Sequence, residues 1–398
     1  MSAGHVYLDH AATTPVLPEV VDVVAARMQA LGNPSSLHGS GRAARKAVEE
    51  SRESVAAALG ARPSEVVFTA GGTEADNLAL KGLFWARRAA DPRRLRVLVS
   101  AVEHHAVLDT VEWLGKVEGA EVELLPVDAV GRLDVDALTA SIARDPESVA
   151  LVSVMWANNE VGTLQPVQAV VAAAGHYGVP VHSDAVQAVG AVPVDFGDSG
   201  LDALSLSGHK LGGPVGAGAL LVRRETELVP ILHGGGQERE VRSGTVDTAS
   251  IAGLATAVST ATGEQQSATE RLGALRAELV DAIRAAVPDA VVNGPEDPRQ
   301  RLPGIAHVSF PGCEGDSLLL LLDAQGIECS TGSACAAGVP EPSHVLLAMG
   351  ADPLLARGSL RFSLGHTSSR SDIEALAAAI GPVVERARVA GYVNVSKG

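Results

Sequence analysis

At 398 residues the chain exceeds what one hydrophobic core usually serves, so two domains are expected. Its 46% apolar content excludes wholesale disorder. A formal charge of −16 argues against a surface that coats nucleic acid, because phosphate binding needs clustered Lys and Arg.

Aromatic residues make up only 3%, which leaves Ala, Val and Leu to build the interior. The opening MSAGHVYLDHAATT lacks a basic stretch followed by an apolar core, so no signal peptide is read there. No apolar run approaches the ~20 residues of a spanning helix. Cys313, Cys329 and Cys335 are odd in number and lack framework spacing, which suits a reducing compartment. A soluble, cytoplasmic protein is the expectation.

In chain order, GRAARKAVEESRESVAAALG reads as an amphipathic helix and EVVFTA as a strand. GGTEADNLALKGLFWARRAA reads as a glycine turn plus helix, and RVLVSAVE as the next strand. Further apolar runs are ALVSVMW, VPVHSDAV, ALSLSG and AGALLVR. Continuous apolar runs between helices indicate a mostly parallel sheet buried on both faces. DPRRLR and NGPEDPRQRLP read as surface loops with solvated charges. A polar Thr/Ser/Gln texture appears near residues 256–270, followed by a long helix. The strands GIAHVSF and SLRFSLG and the helix SDIEALAAAIGPVVERARV then suggest a smaller α+β domain.

Ligands of parallel sheets sit beyond the carboxyl ends of strands, and the polar residues here follow the apolar runs. SLSGHKLGGPVGAG places Lys210, one of few lysines, among small residues. A desolvated lysine has a lowered pKa and a nucleophilic amine, whereas a lysine in a surface turn has neither. Taken alone, the tripeptide fits both. GGTEADN offers helix-start N–H groups for an anion, or an ordinary N-cap by Thr73. Asp184 in HSDAVQ is either a cap or a buried carboxylate awaiting a cation. In VEHH, adjacent histidines point apart on a strand, so one of His104 and His105 is expected to face a pocket and the other away. Together these strand ends supply what pyridoxal phosphate asks of its protein: a Schiff-base lysine, an acid for the pyridinium nitrogen, a flat side chain and an anion site.

The runs YLDHAATTPV, GNPSSLH, VVFTAGGTEADNLALKG, EHHAVL, NNEVGTLQP, HSDAVQAVG, SLSGHKLGGPVGAG, HGGGQEREVRSGT, STGSACAAG and LRFSLG follow one another between residue 6 and about 366. Through them the chain resembles a cysteine desulfurase of the fold-type I, class V aminotransferase group. The resemblance implies a large domain, residues 15–262, with a mostly parallel seven-stranded sheet. Residues 1–14 and 263–398 would form a smaller α+β domain with the catalytic cysteine loop. Lys210 would hold pyridoxal 5'-phosphate, Asp184 would pair with its ring nitrogen and Gln187 with its ring hydroxyl. His104 would stack on the ring and shuttle protons, with Asn159 beside it. Gly72, Thr73, Ser207 and His209 would hold the phosphate, and Thr245 would reach the phosphate of a partner subunit in a homodimer. Arg361 and Asn33 would grip the substrate carboxylate. Cys335, in a small-residue and glycine-rich stretch, would be the sulfur carrier, and its surroundings resemble the long-loop branch of the family.

The activity so implied is conversion of L-cysteine to L-alanine. Sulfur would leave as a persulfide on Cys335 for acceptor proteins in iron–sulfur cluster assembly or tRNA thiolation. Selenocysteine lyase, or another small-amino-acid enzyme of the same fold, is the alternative. Departures from the family pattern are Gly72 where Ala is usual, Glu240 where Gly is common, and Ala336 and Ala337 after the cysteine.

Overall fold

The computed structural model describes residues 5–331 and 342–395. Its strands in chain order are β1 (Val6–Tyr7), β2 (Val66–Thr69), β3 (Arg96–Ser100), β4 (Glu121–Leu125), β5 (Val149–Ser153), β6 (Val181–Asp184), β7 (Ala203–Ser207), β8 (Gly218–Val222), β9 (Val291–Asn293), β10 (Ile305–Ser309), β11 (Ile327–Glu328) and β12 (Ser359–Ser363). Seven of them form one sheet in the order β2-β8-β7-β6-β5-β3-β4. Only β8 runs against its neighbours, so the other six direct their carboxyl ends to one edge.

Alternation along each strand explains why both faces are covered. Leu98 of β3 and Phe68 of β2 join a core with Val48 and Val55 of the helix Gly39–Ala58. Val97 and Val99 point the other way, against Leu80, Leu83 and Phe84 of the helix Gly72–Ala90. Val67 and Leu220 meet Ala75 and Leu78 of that same helix. Truncating such a residue to Ala costs about 2–5 kcal/mol, and each strand contributes several.

A separate apolar core brings Val6 and Leu8 against Leu279, Ile283, Val308, Phe310, Leu322, Phe362 and Ile380. It is backed by the antiparallel sheet β12-β10-β9 and by β1 paired to β11. The helix Thr248–Gly263 packs on the first core and the helix Gln265–Ala286 on the second, with Glu264 between them. The polar texture near 256–270 is therefore helical on both sides of this one residue. Arg96 begins β3, as the run RVLVSAVE implied, but its charge, expected to be solvated, is buried against Glu123 at 2.7 Å. No helix among the described residues is long and apolar enough to cross a membrane.

Candidate active site

The carboxyl ends of the parallel strands open onto a cavity of about 350 Å³, bordered by Gly72, Thr73, His104, Asn159, Asp184, Gln187, Ser207, His209, Lys210 and Arg361. Beyond β2 the chain turns through Gly71, at φ 140°, into the helix Gly72–Ala90. Gly71 is the N-cap and contributes no side-chain cap, so Thr73 does not have the capping role that its sequence context allowed. The first N–H groups of a helix have no partner within it, and the dipole adds partial positive charge. This end therefore offers an anion site. Glu74 is turned to Arg242, at 2.7 Å, and to the Ala70 N–H, so its charge is answered elsewhere.

Lys210 follows β7 by three residues, in a short 3₁₀ turn. Its Nζ donates to the carbonyls of Ala11 at 2.6 Å and Ala12 at 2.8 Å. Burial and the nearby Arg361 guanidinium lower its pKa to about 8, against the pull of Asp184 and Asp9. Gln187 donates its amide to the same Ala11 carbonyl. His209 is also desolvated, down to about 4, and is neutral at physiological pH.

Asp184 ends β6 and is buried, and its Oδ1 accepts from the Val186 N–H at 2.9 Å. Burial raises its pKa, while His104, the Val186 N–H and Lys210 act the other way. A buried carboxylate at a cavity wall, with no salt-bridge partner among the described residues, is a place for a ligand cation. His104 caps the helix His105–Trp113, accepting the Ala106 N–H at Nδ1, so its proton resides on Nε2. Burial lowers its pKa and keeps the ring neutral. His104 and His105 thus lie at a helix start, not along a strand. Both border the cavity, contrary to the expectation that one faces away. His105 pairs with Asp109 and packs edge-on against His344.

Arg361, on β12, comes from the second core. Its Nη2 meets Asp9 Oδ1 at 2.8 Å and its Nη1 donates to the Asn159 carbonyl at 3.0 Å. These tethers use two of its five N–H bonds and leave others for a ligand. Asn158, the first Asn of the pair, is instead buried in its own turn, accepting from Glu160 and Val161 N–H groups.

Two expected residues stay outside. Asn33 is exposed, with Oδ1 on the Ser35 N–H, and Thr245 is exposed as well; neither borders the cavity. The grip of Asn33 and Arg361 on one carboxylate is not formed within this chain. Cys335 lies outside the described residues. Cys329 is buried, and its thiol is pushed up by desolvation; Cys313 is also buried. Sequence reasoning missed Asp76, which is buried and borders the cavity; Glu103 and His182, also buried, lie in the runs VEHH and HSDAVQ. The only signal of Asp76 was a second acid after Glu74 in the helix start GGTEADN.

A helix N-terminus for a phosphate, a desolvated amine for an aldehyde, a buried anion for a ring nitrogen and a neutral imidazole together fit pyridoxal phosphate. Residues 6–376 match the family model described as aminotransferase class-V. The chain belongs to this family. Class-V aminotransferases act through pyridoxal phosphate. Over 96% of this chain and 97% of its relative it is 57% identical to an IscS-like cysteine desulfurase of Mycobacterium tuberculosis. It is 43% identical to the cysteine desulfurase NifS of Azotobacter vinelandii, over 96% of this chain and 93% of that protein. A solved NifS-like protein superposes with a TM-score of 0.88 at 34% identity, over 96% of this chain and all of that one.

Two departures from the family pattern have structural consequences. A Cβ at Gly72 would lie 2.8 Å from Val186 Cγ2, so Ala fits there only if Val186 moves. Glu240 has φ 64°, beside Arg239 at 54°, in the left-handed region that glycine occupies without strain.

Proposed function

We propose that this protein is a pyridoxal-phosphate-dependent cysteine desulfurase that converts L-cysteine to L-alanine and passes the sulfur to acceptor proteins. The observation that carries the reading is the convergence, in one cavity, of a desolvated lysine, a buried carboxylate lacking a cation and a tethered arginine.

When bound, pyridoxal phosphate supplies a carbonyl for the substrate amine and a sink for electrons released at Cα. Lys210 would hold the cofactor, and its Nζ would accept the Cα proton of the substrate. Its pKa near 8 makes the neutral, proton-accepting form accessible at physiological pH. Asp184, as an anion, would pair with the ring nitrogen, and His104 keeps a transferable proton on Nε2. Arg361 orients the substrate carboxylate with the N–H bonds that Asp9 and Asn159 leave free. Thr73, Ser207, His209 and the helix start at Gly72 would hold the phosphate, and Gln187 would hydrogen-bond the ring hydroxyl. The Cys335 thiolate attacks the substrate sulfur, and the C–S bond breaks. A persulfide remains on Cys335, and protonation of the carbon gives alanine.

The same reading makes the protein a cytoplasmic homodimer. Asn33 and Thr245 lie on exposed segments, and Leu31 and Leu37 beside Asn33 are 86% and 82% exposed, as a surface covered by a second copy would be. It divides the chain into residues 15–262 and residues 1–14 with 263–398, in keeping with two separate apolar cores. Sulfur acceptors would be an iron–sulfur scaffold or a tRNA-thiolating enzyme.

Lys210→Ala is expected to abolish the cofactor's bound absorbance and alanine formation together. Cys335→Ser should keep the absorbance and lose sulfur transfer. A Cys335→Ser protein that releases sulfide from cysteine at the wild-type rate would sink the assignment.

A further inference from the structure

The phosphate end of the cavity is short of cations. Among the described residues that border it, Lys210 and Arg361 are the only Lys or Arg, and both have other work in the proposed reaction. His209 is neutral at physiological pH. A phosphate at Gly72, Thr73, Ser207 and His209 therefore depends on the N–H groups and dipole of the helix Gly72–Ala90. A phosphate monoester carries about −1.5 to −2 charges at pH 7, so an anion at that helix end competes with it.

Such an anion is present. Glu74 lies in the first turn, next to Thr73. A carboxylate there strengthens its own helix but cancels the charge that the helix end offers to a ligand. Its side chain is 17% exposed and accepts from the Ala70 N–H at 2.8 Å. Arg242, which does not border the cavity, covers both carboxylate oxygens: Nε donates to Oε1 at 2.7 Å and Nη2 to Oε2 at 3.4 Å.

The turn that delivers Arg242 is fixed from below. Glu238 and Arg242 pair across Arg239 and Glu240, with the Glu238 N–H on the Arg242 carbonyl at 3.0 Å. Glu238 is 3% exposed. It accepts Nη1 and Nη2 of Arg52, each at 2.8 Å, and the Phe68 N–H at 3.0 Å. These bonds attach the turn to β2 and to the helix Gly39–Ala58. A free surface ion pair is worth little because two side chains must be ordered to form it, whereas here the backbone beneath Arg242 is already held.

We propose that Arg242 serves the phosphate site from outside the cavity: it neutralises Glu74, so that the helix end keeps its positive potential for a phosphate. Arg242 is thus a positioning residue, which acts on the anion through Glu74. That the anion belongs to the cofactor rests on the reading above; the effect of the pair on a phosphate does not.

The test titrates the full-length protein, freed of cofactor, with pyridoxal phosphate, pyridoxal and inorganic phosphate. Pyridoxal can bond to Lys210 in the same way but lacks the phosphate. Arg242→Gln should raise the dissociation constants of pyridoxal phosphate and inorganic phosphate about 10-fold and leave that of pyridoxal unchanged. The turn also carries Thr245, three residues on, so a phosphate-specific loss could come from a displaced loop. The double variant Glu74→Gln, Arg242→Gln separates the two. It restores no contact but removes the offending charge, and most of the lost affinity should return. Unchanged phosphate affinity in Arg242→Gln, an equal loss for pyridoxal, or no recovery in the double variant overturns the proposal. Should Arg242→Gln fail to fold, Glu74→Gln decides. With Arg242 then unpaired, inorganic phosphate is expected to bind at least as tightly as to the wild type, and weaker binding overturns the proposal. A wild type that takes up no pyridoxal phosphate would defeat the functional reading, while inorganic phosphate would still decide the role of Arg242. A wild type that binds neither overturns both.

Discussion

Asp184 and Ser207 sit at the ends of paired parallel strands, where register alone aims them: Asp184 lies opposite Ser205, and His182 opposite Ala203. Asn33 and Thr245 lie on the segments 29–38 and 233–247, exposed and away from the cavity, although the family resemblance assigns them to the same chemistry. The floor of the site is thus completed by one chain's hydrogen-bond ladder. Its outer parts are not, and in the proposed homodimer a second copy would complete them. A rigid sheet places groups locally, whereas an exposed loop acquires its role only from what covers it.

This contrast can be broken experimentally. Asp184→Asn should lower kcat on the order of 10²–10³-fold without altering the circular dichroism spectrum, because it removes a preorganised charge and nothing else. Next in size, Arg361→Lys should raise KM for cysteine about 10–100-fold, as the planar fork that Asp9 and Asn159 orient is lost. Thr245→Ala and Lys210→Ala proteins, each poorly active, should regain activity when refolded together. A hybrid dimer then holds one site with both an intact floor and an intact outer residue. If mixtures stay inactive at every ratio, the outer residues do not belong to a shared site.

Two smaller effects sharpen the picture. Cofactor capture by the cofactor-free protein requires neutral Lys210, so its rate should rise with pH around a midpoint near 8, not near the ordinary lysine value of 10.5. Stopped-flow absorbance across that range measures it, and a midpoint near 10.5 would mean that the amine is solvated. Glu240→Gly should stabilise the protein by about 1 kcal/mol at most, since relief of left-handed strain is partly offset by the entropy of glycine. A urea midpoint that falls would show that the Glu240 side chain has a compensating contact.

Much of the fold was legible because burial on two faces demands continuous apolar runs, and VVFT, RVLVS, VALVS and ALSLS supply them. The helix break at Glu264 was less so: both flanking segments are helical, and only their different packing partners separate them. VEHH was misread as strand because RVLVS ends at Ser100, two residues before the turn that Glu103 anchors. Arg96 shows the same limit, since a charged residue in a basic run gives no sign that Glu123 waits on the neighbouring strand.

By itself the sequence determined that polar groups follow apolar runs, and hence that Lys210, Asp184, His104 and Thr73 gather at one sheet edge. Period and strand direction suffice for that, because parallel strands share a carboxyl end. Only the tertiary structure decided which of those groups are ionised. Desolvation and neighbouring charge depend on atoms from separate elements: Arg361 crosses from the second core to Asp9, Ala11 holds Lys210, and His182 of β6 comes within 3.5 Å of Asp76 on a helix. Charge state belongs to the assembled site, because the dielectric that sets it exists only once the chain has closed around it.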